Sequence, residues 1–205
     1  MRASTRREFV AGAAGRIECA VDKPEGAARG VALIAHPHPL FGGSLDNKVV
    51  QTLARAFVEL GYEAWRPNFR GVGETEGVHD EGRGELDDLQ AVLNAIKTEK
   101  FILAGFSFGA SLAAQLAAQV AAQVADNAPP QWLVLVGVGI TRIMAPPVPA
   151  GTLVIHGEND ETVPLTAVLD WARPQELPVV VVPGADHFFH RKLHILRALV
   201  QRNCE

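Results

Sequence analysis

The sequence predicts an α/β fold: a mostly parallel central sheet with helices on both faces, preceded by an antiparallel N-terminal hairpin. Three observations carry this expectation. From Val31 onward, short apolar runs alternate with segments whose apolar residues recur at helical spacing. Those runs are continuous, as in strands covered on both faces, where a half-exposed strand would alternate. The 205 residues, 48% hydrophobic and 20% charged, suffice for one well-buried core and are short for two domains, so one domain is expected over residues 1–205.

The elements follow in order. Phe9-Val10 and Arg16 to Val21 read as two strands joined by a glycine turn, the second alternating like a half-buried antiparallel strand. Val31 to Ala35 is the first covered strand. After a Pro/Gly-rich loop, Asp46 or Asn47 is placed to cap a helix with Val49, Val50, Leu53, Ala54, Phe57 and Leu60 on one face, stopped by Gly61. Glu63 to Arg66 is a strand, and Glu85 to Lys97 a helix with Leu86, Leu89, Val92, Leu93 and Ile96 inward. Phe101 to Phe106 is a strand, followed by an Ala-rich helix over Ser107 to Val124. Strands follow at Trp132 to Val138, Leu153 to His156 and Val179 to Val182, with a short helix near Leu165 to Trp171 and a last helix over His190 to Asn203.

Composition excludes several classes. With 19 Lys+Arg against 23 Asp+Glu the net charge is -4, and no basic stripe with interleaved aromatics suggests nucleic acid. No apolar run approaches the ~20 residues that span a bilayer. The two cysteines, Cys19 and Cys204, make no disulfide framework and read as free thiols in a reducing compartment, Cys204 in a fraying tail. Thr5-Arg6-Arg7-Glu8-Phe9-Val10 looks like a twin-arginine export signal, but Arg16 and Glu18 interrupt the apolar stretch such a signal needs. A cytoplasmic protein that opens on a hairpin is expected.

In such sheets ligands bind at the carboxyl ends of the strands, and three loops there carry chemistry. Gly105-Phe106-Ser107-Phe108-Gly109 is G-x-S-x-G between an apolar strand and a helix, the context in which the serine is lifted above the sheet as a nucleophile. A small residue capping the helix is the plain alternative. The strand Leu153 to His156 ends in Gly157-Glu158-Asn159-Asp160-Glu161, where Asp160 is chosen to orient a histidine over a mere turn role. Gly184-Ala185-Asp186-His187-Phe188-Phe189 follows the last strand and sets His187 beside two aromatics. The chain order Ser, Asp, His, each after a strand, is that of α/β-hydrolases.

The sequence resembles small, lidless α/β-hydrolases of bacterial type, related to dienelactone-hydrolase-like esterases, from about Ile17 to Leu196. The motifs that carry the likeness are His36-Pro37-His38-Pro39-Leu40-Phe41-Gly42-Gly43, Asn68-Phe69-Arg70-Gly71-Val72-Gly73, Gly84-Glu85 with Asp88, and the three loops above continued to His190. The resemblance implies an α/β-hydrolase fold and a Ser107, Asp160, His187 triad. At Glu74-Thr75, where such proteins often carry a serine, the chain departs from the pattern, in what reads as a surface loop near the cleft.

A serine hydrolase acting through an acyl-enzyme is expected, with His187 as base and acid and Asp160 holding its tautomer; its activity should rise with pH as His187 becomes neutral. One oxyanion donor is expected at the Phe108 N–H. The other belongs to the loop after the first covered strand, where Pro37 and Pro39 have no N–H; His38 is preferred and Leu40 is the alternative.

His36 and His38, with His187 and His190, raise a metal site, but no His-Glu-x-x-His or cysteine pair completes one, and no metal or cofactor is expected. His36 reads as a structural residue bonded to a neighbouring loop. Gly71-Val72-Gly73 lacks the third glycine of a dinucleotide fingerprint in place. Arg70 reads as a bridge between loops more than a contact to a substrate carboxylate, and Arg191, Lys192 and Arg197 as a solvated helix face.

Between Val138 and Leu153 lies only a Pro-rich loop around Ile143-Met144-Ala145-Pro146-Pro147, too short for a helical cap. An open cleft rimmed by Leu40, Phe41, Phe108, Met144 and Phe188 is therefore expected, suited to small-to-medium acyl esters or thioesters. The rivals are a catalytically silent ligand-binding protein on the same fold, and acyl transfer, perhydrolysis or peptide cleavage by the same triad. The expected partner is a small-molecule acyl substrate, with no nucleic acid or membrane, and the expected assembly a monomer or homodimer.

Overall fold

Eight strands form one sheet in the order β1-β2-β4-β3-β5-β6-β7-β8 in the computed structural model, which describes residues 5–122 and 129–205. The hairpin comprises β1 (Arg6–Gly12) and β2 (Gly15–Asp22), paired antiparallel with Arg6 opposite Val21 and Gly12 opposite Gly15. The arginine pair of the apparent export signal is thus the first residues of an edge strand. β2 also runs antiparallel to β4 (Glu63–Pro67). From there β4, β3 (Val31–Ala35), β5 (Phe101–Phe106), β6 (Trp132–Val136), β7 (Leu153–Gly157) and β8 (Val179–Val182) are parallel.

The continuous apolar runs now have a physical reason. Successive side chains point to opposite faces of a strand, and both faces are covered. Leu33, Leu103, Leu133 and Leu135 face one apolar cluster with helices α2 (Arg83–Ile96), α3 (Phe108–Ala122) and α4 (Leu165–Ala172). Their neighbours Ala32, Ile34, Ile102, Ala104, Val134 and Val136 face the other, with α1 (Lys48–Glu59) and α5 (Leu193–Asn203). Asn47 caps α1, its side-chain oxygen accepting from the amides of Val49 and Val50. Between β6 and β7, residues 137–152 hold no helix, so nothing is inserted over the strand ends.

Some expected boundaries shift. β6 ends at Val136 because Gly137 turns out of the sheet at φ 53°. α5 begins at Leu193, three residues after the expected His190, since Phe189 and Arg191 sit at φ 54° and 62° and interrupt any helix there. The predicted end of the Ala-rich helix at Val124 lies outside the described residues. Cys204 does not fray: it is fully buried against the α1 and α5 cluster, as Cys19 is in the other cluster. Burial pushes both thiols up to about 12, away from the reactive thiolate. No helix among the described residues is long and apolar enough to cross a membrane.

Candidate active site

Ser107 stands alone between β5 and α3 with φ 56°, a left-handed conformation that a non-glycine residue adopts only where its surroundings impose it. Here the surroundings do so on both sides. A Cβ at Gly105 would lie 2.2 Å from the Gly109 carbonyl oxygen, and one at Gly109 would lie 2.4 Å from the carbonyl oxygens of both Ala35 and His36. The two glycines let the helix start directly against strand and loop backbone. The Ser107 amide donates to Val136 O at 2.9 Å, and its carbonyl accepts from the Ala110 and Gly139 amides. The turn is therefore locked, and the hydroxyl faces the cleft at the carboxyl end of the sheet.

His187 lies across from it. Its Nδ1 is 2.6 Å from Asp160 Oδ2 and its Nε2 is 3.1 Å from Ser107 Oγ. A carboxylate only accepts, so Nδ1 carries the proton and Nε2 offers its lone pair to the serine hydroxyl. The imidazole is held by packing as well: the Phe106 ring lies 4.8 Å away and the Phe188 ring meets it edge-on at 5.2 Å. Gly137 keeps its Cβ position within 3.4 Å of the same ring, so a side chain there would crowd it. His190 donates from its backbone to Asp186 Oδ1 and pairs with Oδ2 through its ring, closing the loop that presents His187.

Asp160 is buried, and its partners fix it from several directions. Oδ1 accepts from the amides of Thr162 and Val163 at 2.9 and 2.8 Å. Beside Oδ2, besides His187, lies His156 Nε2 at 3.5 Å. That nitrogen is 2.9 Å from Val163 O, so it carries the ring proton, and His156 Nδ1 is buried without a partner. Burial holds the His156 ring below the ordinary histidine range, against the pull of Asp160, so a neutral imidazole backs the carboxylate. The spacing of His156 and Asp160 is visible in the sequence, but nothing local says that a strand-end histidine turns toward the acid.

The loop after β3 folds back on itself. His36 is fully buried; its Nε2 accepts from the Phe69 amide at 2.9 Å and its Nδ1 donates to Pro37 O at 2.6 Å. Both ring nitrogens are engaged, and among the described residues no three His, Cys, Asp or Glu side chains gather as metal ligands. A Cβ at Gly43 would stand 2.0 Å from Pro37 O, so the loop closes only with glycine there. The Leu40 amide donates to His38 Nδ1 at 3.3 Å, whereas the His38 amide meets no acceptor among the described residues. The same holds for Phe108, the first residue of α3, whose N–H has no intrahelical partner. The His38 ring packs on Phe41, Phe108 and His79, and burial, then His79 and Arg142, keep it below the ordinary range.

A cleft of about 280 Å³ opens above Ser107, lined by His38, Phe41, Phe108, His187 and Phe188 among others. Two of the expected rim residues lie elsewhere. Leu40 is 68% exposed and turned outward, because the chain makes a 3₁₀ turn over Pro39–Phe41 in which successive side chains diverge by a third of a revolution. Met144 is 79% exposed beside α3, where its carbonyl accepts from Gln115 Nε2 and holds it away from the cleft. In their place Asn47, Thr141, Arg142, Thr162 and Val163 line the cleft. Loop residues of ordinary surface type carried no signal that would have singled them out.

Two neighbouring features stand clear of the cleft, the first bridging as expected and the second unlike the expected surface loop. Arg70 grips Asp88 with two 2.8 Å bonds and ties its loop to α2, away from the cleft. Thr75 is no surface residue: it is buried, accepting from the Glu18 amide and donating to Asn68 O, so Glu74-Thr75 seats on β2 and does not line the cleft.

A strand-to-helix serine at the end of a doubly covered sheet, with histidine and aspartate on later strand ends, defines the serine-hydrolase class of α/β protein. Comparison with known proteins agrees. The alpha/beta hydrolase fold family matches residues 38–139. A lidless α/β serine hydrolase from Xanthomonas campestris is 37% identical with a TM-score of 0.88, over 99% of this chain and 94% of that one. An alpha-beta serine hydrolase homologue from Coxiella burnetii is 38% identical with a TM-score of 0.83, over 98% and 97%. An uncharacterized protein of Rickettsia prowazekii is 32% identical over 88% of this chain and 81% of its own length. The chain belongs to the α/β-hydrolase fold family, among its small lidless members, and is a hydrolase.

Proposed function

We propose that this protein cleaves small-to-medium acyl esters or thioesters through an acyl-enzyme on Ser107, as a single cytoplasmic catalytic domain, monomeric or homodimeric and without cofactor. The observation that carries the reading is the continuous relay from Ser107 Oγ through His187 to Asp160, at 3.1 and 2.6 Å, on a serine held at φ 56°. His187 Nε2 takes the hydroxyl proton as Oγ attacks the acyl carbon, then gives it to the departing alcohol or thiol. Asp160 stabilises the imidazolium, its own charge held by the Thr162 and Val163 amides. The oxyanion is received by the amides of Phe108 and His38, both free to donate and both at the cleft, while the Leu40 amide is taken up by His38 Nδ1. Water repeats the sequence on the acyl-enzyme and releases the acid. The uncovered cleft of about 280 Å³ supports short acyl chains over long ones.

The test is labelling by a fluorophosphonate probe together with hydrolysis of p-nitrophenyl esters and acyl-thioesters of graded length. The wild type should be labelled and should turn over the shorter members, and Ser107→Ala should do neither. Equal labelling of both proteins would falsify Ser107 as the nucleophile.

A further inference from the structure

Arg142 has no role in the relay, yet it lines the same cleft as Ser107. Its guanidinium lies over the Phe41 ring, 4.6 Å from the centroid, and it contributes to lowering the His38 pKa. It therefore stands at the cleft mouth, steadied by a cation–π contact that leaves its N–H fork free to bind. The largely buried Arg66 and Arg70 are matched to Asp22 and Asp88, each at 2.8 Å, whereas Arg142 is exposed at the cleft. Arg142 has no carboxylate within ion-pair distance among the described residues. Nor does any Asp or Glu line the cleft, although the chain as a whole is net negative at -4. Asp160 lies behind the imidazole, with its side chain fully buried.

We propose that Arg142 is a specificity-determining residue that selects esters carrying a carboxylate of their own, bound by the guanidinium while the ester carbonyl sits over Ser107. A planar fork matches a carboxylate through two parallel hydrogen bonds, which a neutral chain end cannot supply. A cleft of about 280 Å³ has room for a short half-ester of a dicarboxylic acid and little more. This inference rests on the reading of Ser107 as nucleophile, and the experiment separates the two.

Hydrolysis is measured for two matched pairs: mono-p-nitrophenyl glutarate against p-nitrophenyl valerate, with the charge on the acyl side, and 4-carboxyphenyl butyrate against phenyl butyrate, with it on the leaving group. In at least one pair, the ratio of kcat/KM for charged over neutral ester should fall about tenfold in Arg142→Gln, mostly through KM, and part of it should return in Arg142→Lys. The same preference should shrink as ionic strength rises. Ratios equal within twofold between wild type and Arg142→Gln for both pairs would overturn the proposal while leaving the hydrolase reading intact. Were wild type and Ser107→Ala to show no turnover of any ester, the hydrolase reading would fail instead. Arg142 is then judged by calorimetric titration with glutarate: tighter binding by wild type than by Arg142→Gln sustains the proposal, and equal binding sinks it.

Discussion

His36 links the acid stability of the fold to the loop after β3 that carries the His38 amide. The ring is fully buried, and burial drives its pKa from 6.5 to about 3, although the Pro37 carbonyl pulls the other way. The geometry explains the direction: a proton added at Nε2 would point at the Phe69 amide, donor against donor. The unfolded chain therefore binds a proton below pH 6.5 that the folded chain refuses until about pH 3. Stability attached to this group is fully present above pH 6.5 and drains away as pH falls through that window. Each pH step within it costs the fold ~1.36 kcal/mol, so lowering the pH from 7 to 5 removes about 2 kcal/mol through His36. The assay is urea unfolding of wild type and His36→Gln at both pH values. The variant should start lower at pH 7 by about 1–2 kcal/mol, having lost buried hydrogen bonds, yet fall less between pH 7 and 5 by about 2 kcal/mol. His156, also held neutral by burial, is present in both proteins, so its own contribution cancels in the comparison. Parallel losses in the two proteins would refute the reasoning.

Three further outcomes are expected. Asp160→Asn should keep the fold but present His187 with the wrong tautomer, lowering kcat by about 10³–10⁴ in steady-state ester hydrolysis; a loss below tenfold would remove Asp160 from the relay. Gly109→Ala should cost at least ~3 kcal/mol in thermal or urea unfolding, because its methyl would meet two backbone carbonyls at 2.4 Å and neither side is a flexible side chain; a near-neutral effect would mean the elbow can open. Cys19 and Cys204 should resist a disulfide-exchange reagent in the native protein and react together after denaturation, as burial without an activating neighbour dictates.

Much of this molecule is written locally. The doubly covered strands announce themselves as Val31 to Ala35 and Phe101 to Phe106, because a face without water imposes apolar residues at every position. The elbow is legible because its glycines at 105 and 109 are demanded by backbone approaches of 2.2 and 2.4 Å that no other residue permits. His187 and Asp160 are legible through their order along the chain, each at the end of a strand. The rim was less so. Met144 and Leu40 are apolar residues in the right loops, but which side of a loop faces the cleft depends on anchors far away in sequence, such as Gln115 for Met144.

By itself, then, the sequence determined the sheet, its two helical layers, the absence of a helical insertion between β6 and β7, and the identities of the serine, aspartate and histidine, since periodicity and steric necessity act over a few residues. Tertiary structure alone decided what surrounds them. It turned His156 toward Asp160, engaged the Leu40 amide while leaving that of His38 free, buried Thr75 and Cys204, drew Arg70 to Asp88, and left Arg142 over Phe41 at the mouth of the cleft. Those are contacts between segments remote in the chain, set by how the loops pack once the sheet has formed. Charge pairing bears on the last of them: Arg70, paired with Asp88, stays clear of the cleft, whereas Arg142, without an ion-pair partner among the described residues, lines it.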